Sequence, residues 1–191
     1  MESSFMGEND FTLRKFVAPE FVFGEGARHL AGRYAKNLGG RKILVVSDPG
    51  VVAAGWTRDV TDSLEEVGLP YALFTGVSAN PKVEEIMAGV ALYREEECNA
   101  LIAVGGGSPI DCAKGIGIVT SNNKHILLFE GVDMVKTPMP PLICVPTTGG
   151  TSADVSQFAI ISNPLEKVKF AIISKSVVPD LALIDPATLT T

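Results

Sequence analysis

The sequence has few residues of the kinds that disulfide frameworks, metal sites, membrane spans and nucleic-acid surfaces require. Its 191 residues include two histidines and three cysteines, and aromatic residues make up 7%. The formal net charge is −6 with acidic and basic residues interspersed, which argues against nucleic acid and against an anionic membrane surface as partners. No segment approaches the run of about 18 apolar residues that a membrane-spanning helix needs.

The cysteines and the N-terminus indicate a cytoplasmic protein. Cys98, Cys112 and Cys144 lack the spacing of metal ligands, and three cysteines cannot all pair. We therefore expect them to be reduced and mostly buried. The N-terminus has neither the basic start nor the apolar core of a signal peptide. We expect an N-terminal extension at residues 1–15 and one domain at residues 16–191.

What the sequence does contain is typical of a globular α/β protein: 46% hydrophobic residues, 20% charged residues and 19 glycines. Short β-branched runs alternate with longer helical patterns, which predicts right-handed βαβ crossovers. The predicted fold is a Rossmann-like open parallel sheet with helices on both faces, plus a β-hairpin at 155–162 and 168–174. Strands are predicted at 20–24, 42–48, 71–75, 99–104 and 142–146, and helices at 27–38, around 60–67, from about 82, and at 109–119.

A glycine-rich turn, GGGS at 105–108, separates the fourth strand from the next helix. Ser108 suits the helix N-cap, Pro109 suits the first helical position, and Asp111 completes a pattern like a capping box. Backbone N–H groups at such a turn can approach an anion, and the helix dipole favours one. The pattern is neither G-x-G-x-x-G nor a Walker motif, so taken alone it is also compatible with a turn that binds nothing.

Two other strand ends favour a dinucleotide site. Asp48 stands where a carboxylate would hold the adenosine ribose and repel the 2′-phosphate of NADP, although in isolation it also fits a solvated turn. Residues 146–151, PTTGGT, offer hydroxyl and N–H donors to phosphate or ribose oxygens, although such a turn by itself is more often just a loop. Three such ends in one sheet predict NAD binding, with NAD preferred to NADP.

Several segments resemble the iron-containing, or group III, alcohol dehydrogenases. The most specific are VGGGSPIDCAK at 104–114 and VPTTGGTSADVS at 145–156. Further similar segments are PEFVFGEGA, VVSDPGV, NPKVEEI and VKFAIISKSVVPDLALIDPATL, so that the resemblance extends from about Phe16 to Thr191. It implies the dehydroquinate synthase-like NAD-binding domain of this family. It also implies a second, helical domain and a catalytic divalent metal, iron or zinc, between the two.

The resemblance also implies roles for individual residues in NAD binding. Asp48 would hold the adenosine ribose, with Asn80 near it. The residues that would surround the pyrophosphate and the phosphate–ribose path are Gly106, Gly107, Ser108, Thr147, Thr148 and Thr151. Those on the nicotinamide side would be Asp111, Ser156 and Phe158, with Lys169 near a ribose or phosphate and Thr188 and Leu189 making backbone contacts to the adenosine. As alternatives, Phe158 is a core side chain, Lys169 a solvated lysine and Asp111 only a helix cap.

The sequence departs from the family pattern in two places. Residues 152–154, Ser-Ala-Asp, stand where the family often has Gly-Ser-Glu. The family's metal ligands, an aspartate and three histidines, begin beyond an Asp-Pro turn that we place at 185–186, and this sequence ends before them. His29 and His125 are expected to be structural or surface residues. We therefore expect no metal ligand, no catalytic residue and no C-terminal helical domain in this chain.

The hypothesis that results is the NAD-binding domain of a metal-dependent alcohol dehydrogenase, inactive by itself. In the complete enzyme, hydride would pass between NAD(H) and a small alcohol or aldehyde. Two alternatives remain open: a non-catalytic nucleotide-binding module, and half of an enzyme like glycerol dehydrogenase. We expect a homo-oligomer, a dimer or larger, and an apolar patch on the cleft side that is either exposed or covered by another copy.

Overall fold

The computed structural model describes residues 18–190, and the extension predicted at 1–15 lies outside this part. The strands are β1 (Glu20–Phe23), β2 (Ile43–Val46), β3 (Tyr71–Phe74), β4 (Ala100–Gly105), β5 (Gly131–Val132), β6 (Leu142–Pro146), β7 (Phe158–Asn163), β8 (Val168–Ile173) and β9 (Leu181–Ile184). The α-helices are α1 (Ala31–Asn37), α2 (Pro49–Ala53), α3 (Trp56–Glu66), α4 (Val83–Glu95) and α5 (Gly107–Asn122). Short 3-10 helices span Ala27–Leu30, Ile126–Phe129, Lys175–Val177 and Pro186–Leu189.

Six strands form a parallel sheet in the order β1-β9-β6-β4-β2-β3, which confirms the predicted sheet. From β2 the chain goes outward to β3, then returns to β4 on the other side of β2, and β6 and β9 follow in that second direction. The winding therefore reverses between β2 and β4. Ligands of open α/β sheets bind outside the carboxyl ends of the strands at such a reversal.

The central strands are buried on both faces, as their continuous apolar runs predict. All four residues of β2 are buried. Leu44 and Val46 face a core that includes α4 and α5. Ile43 and Val45 face the opposite core, which includes α1 and α3. Each such side chain contributes about 1.5–3 kcal/mol through its burial, so two helical layers hold the sheet rigid beneath its carboxyl edge.

The hairpin predicted after residue 155 is present as the antiparallel pair β7–β8, and β5 joins β8 in parallel. Ala159 and Ile161 on one face of β7 are buried in the core that includes α5. Phe158 and Ile160 on the other face are 43% and 50% exposed. The hairpin therefore packs against α5 through one face and leaves an apolar face uncovered in this chain.

Three helix starts differ from the sequence prediction, and one of them is that of the predicted helix 27–38, which begins as the 3-10 helix Ala27–Leu30 before α1 starts at Ala31. The predicted strand 42–48 ends at Val46, because Asp48 caps the unpredicted helix α2 by accepting the Val51 N–H at 3.0 Å. Helix α5 begins at Gly107 rather than at Pro109, and its N-cap is Gly106. The prediction that Ser108 is the N-cap is therefore wrong, since its hydroxyl accepts the Asn80 N–H at 3.0 Å instead.

The three cysteines are free and buried, as predicted. Among residues 18–190, no helix combines the length and the apolar character needed to cross a membrane.

Candidate functional site

A cleft of about 850 Å³ opens at the carboxyl ends of β2 and β4, where the winding of the sheet reverses. Its walls come from four strand ends, at residues 48–56, 76–79, 106–109 and 147–151. The rigid sheet thus brings four separate loops to one place. Among the predicted site residues, those that line the cleft are Asp48, Gly106, Gly107, Ser108, Thr147, Thr148 and Thr151.

The N-terminus of α5 forms one wall of the cleft. Its N-cap, Gly106, provides no side-chain oxygen, so the N–H groups of the first turn have no capping side chain. Gly107 and Ser108, the first two residues of the helix, both line the cleft. The dipole of this 16-residue helix places about half a positive charge at that end. The wall is therefore suited to an anion such as a phosphate.

The glycines of this turn let neighbouring chain segments approach closely. Gly105 has φ +148°, and a Cβ there would lie 2.6 Å from Cγ of Pro109. A Cβ on Gly106 would lie 3.0 Å from Oγ1 of Thr148, so any side chain would push against the threonine loop. The Thr147 N–H donates to the Gly105 carbonyl at 3.0 Å, which joins the two loops. The turn is thus packed against 147–151 without side chains of its own.

Asp48 is partly buried and has two roles that the sequence left as alternatives. Its Oδ1 accepts the Val51 N–H, which makes it the cap of a turn. Its Oδ2 lies 3.4 Å from the position of a Cβ on Gly105, next to the glycine turn. Within residues 18–190, this second oxygen accepts no hydrogen bond. It is available to a hydroxyl group in the cleft.

Asn80 and Lys169 meet at the rim of the cleft. Besides the hydrogen bond to Ser108, Asn80 accepts a hydrogen bond at its Oδ1 from Lys169 Nζ at 2.6 Å. Asn80 adopts φ +59°, a left-handed conformation that asparagine tolerates. The hairpin lysine therefore reaches across to the loop after β3, and its charge lies near the start of α5.

One turn farther along α5, Asp111 and Lys114 contact the segment that carries Ser156 and Phe158. The Asp111 carboxylate does not cap the helix but accepts the Ile160 N–H at 3.1 Å. Burial raises the pKa of Asp111 to about 6, against the opposing effects of Lys114 and of the Ile160 hydrogen bond. The alternative interpretation of Phe158 as a core side chain is wrong, because it stands on the outer face of β7.

Thr188 follows β9 and lies next to the end of β6. Its side chain is fully buried, and its hydroxyl lies 2.8 Å from the carbonyl oxygens of Pro146 and Asp185. This contact ties the 3-10 helix after β9 to the end of β6. A backbone contact from Thr188 to an adenosine stays a prediction.

Sequence reasoning missed Lys114, the last residue of the motif VGGGSPIDCAK. Its side chain is 0% exposed, and its Nζ donates to the carbonyls of Ala153, Ser156 and Phe158. Burial lowers the pKa of Lys114. The signal was present in the sequence, because a lysine amid the otherwise apolar run 112–119 has to point into the core or interrupt it.

Sequence reasoning also missed the contacts that fix Trp56, which lines the cleft. The Arg28 guanidinium lies 5.0 Å from the centre of the Trp56 ring and forms ion pairs of 2.6 Å with Asp59 and Asp185. Burial would raise the pKa of Asp185, but hydrogen bonds from Arg28 and from the Ala187 N–H hold it below its ordinary value. These contacts join the start of α3 to the end of β9.

The described residues offer no donor set for a metal. His29 and His125 are both exposed. Within residues 18–190, no three His, Cys, Asp or Glu side chains are grouped so that they could hold a metal ion.

Comparisons with known proteins agree with this architecture. Residues 18–186 match the family model described as iron-containing alcohol dehydrogenase. The chain is 38% identical over 175 residues to alcohol dehydrogenase 4 of Schizosaccharomyces pombe, covering 91% of this chain and 42% of that protein. It is 34% identical over 171 residues to the NAD-dependent methanol dehydrogenase of Bacillus methanolicus, covering 90% and 45% respectively. A crystal structure of 1,3-propanediol oxidoreductase matches with TM-score 0.90 and 35% identity, over 93% of this chain and 47% of that one.

The chain spans less than half the length of each of these relatives. The match nevertheless includes the whole six-stranded sheet and all four loops of the cleft. The chain therefore belongs to the iron-containing alcohol dehydrogenase family.

Proposed function

We propose that residues 16–191 form an NAD-binding domain that serves a metal-dependent alcohol dehydrogenase. The observation that carries the proposal is the uncapped first turn of α5, which opens onto the cleft at the winding reversal of the sheet. Phosphate groups bind at helix N-termini of this kind because the N–H groups and the dipole both favour an anion. A relative described as an NAD-dependent methanol dehydrogenase supports the same choice of cofactor.

The pyrophosphate of NAD would lie against the glycine turn. Gly106 and Gly107 permit the backbone to approach it, and the N–H groups of Gly107 and Ser108 would donate to its oxygens. Two or three charge-assisted hydrogen bonds of about 1.5–3 kcal/mol each supply most of a micromolar affinity. Thr148 and Thr151 pack beside Gly106 and Gly107, and Thr147 lines the same cleft, so their hydroxyls would complete the phosphate and ribose contacts.

The adenosine ribose would be held by Asp48 through the oxygen that the α2 cap leaves free, with Asn80 near it. A carboxylate at this position repels the additional phosphate of NADP, so NAD is the proposed cofactor. Thr188 and Leu189 would contribute backbone contacts at this end.

The nicotinamide would lie toward Asp111, Ser156 and Phe158, and Lys169 would place its charge near a ribose or phosphate. When bound, NAD(H) takes up or supplies the hydride exchanged with a small alcohol or aldehyde. Iron or zinc is the metal proposed for the whole protein. Residues 18–190 contain no grouping of metal donors, so their proposed contribution is to bind and orient the cofactor.

We also propose that the protein is a cytoplasmic homo-oligomer. Its three cysteines are free, which is the usual state in a reducing compartment. The edge strand β1 presents Phe21 and Phe23, which are 50% and 74% exposed. An apolar sheet edge of this kind is suited to a second copy. Light scattering at increasing concentration tests this, and a monomer at all concentrations would contradict it.

Calorimetric titration of the chain with NAD tests the main proposal. We expect one site, and we expect Gly107→Val to weaken it at least about tenfold by obstructing the approach of phosphate to the backbone. The variant should fold, because a Cβ at Gly107 meets Thr151 at an ordinary 3.5 Å. Ala88→Val, which changes the exposed surface of α4, is the control and should bind like the parent chain. Equal binding by a folded Gly107→Val variant would remove the glycine turn from the site.

A further inference from the structure

Lys114 places a cation inside the protein without an acidic partner at contact distance. Its Nζ lies 2.6 Å from the Ala153 carbonyl, 2.9 Å from the Ser156 carbonyl and 2.7 Å from the Phe158 carbonyl. The Ser156 hydroxyl is also within reach, at 3.3 Å. Among residues 18–190, no carboxylate forms a salt bridge with it. A buried cation is costly unless its protons are all used, and here they are.

The three carbonyl acceptors favour the charged form of the amine, against the burial that lowers the pKa of Lys114. Three carbonyl oxygens at hydrogen-bond distance require three donated protons, which the ammonium group has and a neutral amine does not. The three carbonyls belong to residues 153–158, which form no strand or helix before β7 begins at Phe158. One side chain of α5 therefore supplies a hydrogen bond to each of these three carbonyls, in addition to the backbone bonds Val155 N–H to Ser152 O and Ser174 N–H to Gln157 O.

The same helix holds the two ends of this segment. Upstream, Thr148 and Thr151 pack against the glycine turn at the start of α5. Downstream, Asp111 accepts the Ile160 N–H. Lys114 lies one helical turn after Asp111 and fixes the residues between these two contacts. The loop that carries Thr151 and Ser156 is thus fastened to the helix whose first turn faces the cleft.

We propose that Lys114 is a positioning residue that holds residues 151–158 in the shape that the nicotinamide half of NAD requires. The inference rests on the proposed binding of NAD in this cleft. The segment is preformed before the cofactor arrives, so the cofactor does not bear the entropic cost of ordering it. The adenosine half, bound at Asp48 on the other side of the glycine turn, does not depend on Lys114.

Replacement of Lys114 by methionine tests this division of the site. Methionine fills the same volume without the three donors, so residues 153–158 lose their fixed shape. We expect Lys114→Met to weaken NAD binding at least about tenfold while the affinity for AMP changes by less than about threefold. Ile118→Val, another change at a fully buried position of α5, is the control and should leave both affinities within about twofold of the parent chain.

Two results of this titration would overturn the proposal. Equal NAD affinity in Lys114→Met would show that the loop does not need the lysine. Parallel losses of NAD and AMP affinity would show a general structural role without a positioning one. Failure of the parent chain to bind NAD is a different result, because it would contradict the proposed function itself.

Amide hydrogen exchange in the parent chain gives an independent test that needs no variant to fold. The Val155 and Ile160 N–H groups donate to Ser152 O and Asp111 Oδ2, at 3.2 and 3.1 Å. If the segment is preformed, we expect slow exchange at these two amides both without and with NAD. Rapid exchange without NAD that becomes slow only when NAD is added would overturn the proposal.

Discussion

Replacing Asp48 by asparagine isolates the charge that the proposed cofactor choice depends on. Asparagine is as good a helix N-cap as aspartate, so the cap of α2 at the Val51 N–H should persist. Hydrogen bonds from ribose hydroxyls to a charged acceptor contribute about 1.5–3 kcal/mol, so we expect NAD affinity to fall about tenfold to a hundredfold.

The same substitution should improve NADP binding relative to NAD. A 2′-phosphate carries nearly two negative charges, and two charges at about 4 Å repel by about 1 kcal/mol per pair in a solvent-exposed setting. Because Asp48 is partly buried, the value of about 1 kcal/mol per pair in water is a minimum. For a phosphate with nearly two charges, the repulsion is therefore at least about 2 kcal/mol. The parent chain should therefore prefer NAD at least about tenfold, and Asp48→Asn should largely abolish the preference.

Calorimetry with NAD and NADP at one fixed salt concentration measures both affinities. Asp62→Asn, on the exposed side of α3, makes the same change in net charge outside the cleft and should keep the parent preference. Equal binding of NAD and NADP by the parent chain, or an unchanged ratio of the two affinities in Asp48→Asn, would show that the Asp48 charge does not select the cofactor.

Other consequences of the site can be measured separately. Trp56 is the single tryptophan of the chain and lines the cleft, so its fluorescence should change when NAD is added. The fluorescence should stay constant when glucose is added, because glucose has neither a nicotinamide nor a phosphate group. Ser108→Pro removes an N–H donor from the first turn of α5 and should weaken NAD binding, and unchanged affinity in the folded variant would contradict the assignment of that donor. The raised pKa of Asp111, about 6, predicts a contribution to stability that is complete below its unfolded value near 3.8 and is lost as the pH rises to about 6. Asp111→Asn keeps an acceptor for the Ile160 N–H, so its unfolding free energy should lack this dependence and exceed the parent's by about 1–3 kcal/mol at pH 7. Denaturant unfolding between pH 4 and 7 tests this, and parallel curves for the two proteins would contradict it.

The sheet was predictable from sequence because its signals are local and strong. The runs ILVV of β2 and LICVP of β6 are too apolar for any exposed position, and each is followed by residues suited to turns. Alternation with helical patterns then limits the connections to right-handed crossovers. The strand ends that meet in the cleft follow from the same alternation, because parallel strands end at one edge.

The starts of the helices were less predictable, because partners distant in sequence decide them. Ser108 has the local properties of an N-cap, but its hydroxyl is used by Asn80 and the helix begins at Gly107. Asp111 likewise resembles a capping residue, but it contacts a strand 49 positions away. Tertiary contacts compete with local capping for the same side-chain oxygens, and here they prevail.

The contacts of Lys114 could not be derived from spacing alone. Its three acceptors lie 39 to 44 positions along the chain, in a segment with no periodic pattern. The ion pair of Arg28 with Asp185 spans 157 positions. Both contacts depend on how the hairpin and β9 pack on the sheet, which hydrophobic patterning predicts only in outline.

The central claim is that the first turn of α5 binds the pyrophosphate of NAD, and a residue-resolved NMR titration tests it most directly. With ¹⁵N-labelled chain, the largest shift changes on addition of NAD should fall on the amides of Gly107 and Ser108, followed by those of the loop at 147–151. Adenosine, which lacks phosphate, should leave the first two amides nearly unchanged. Shifts confined to other parts of the chain, or no shifts at all in a folded sample, would contradict the account.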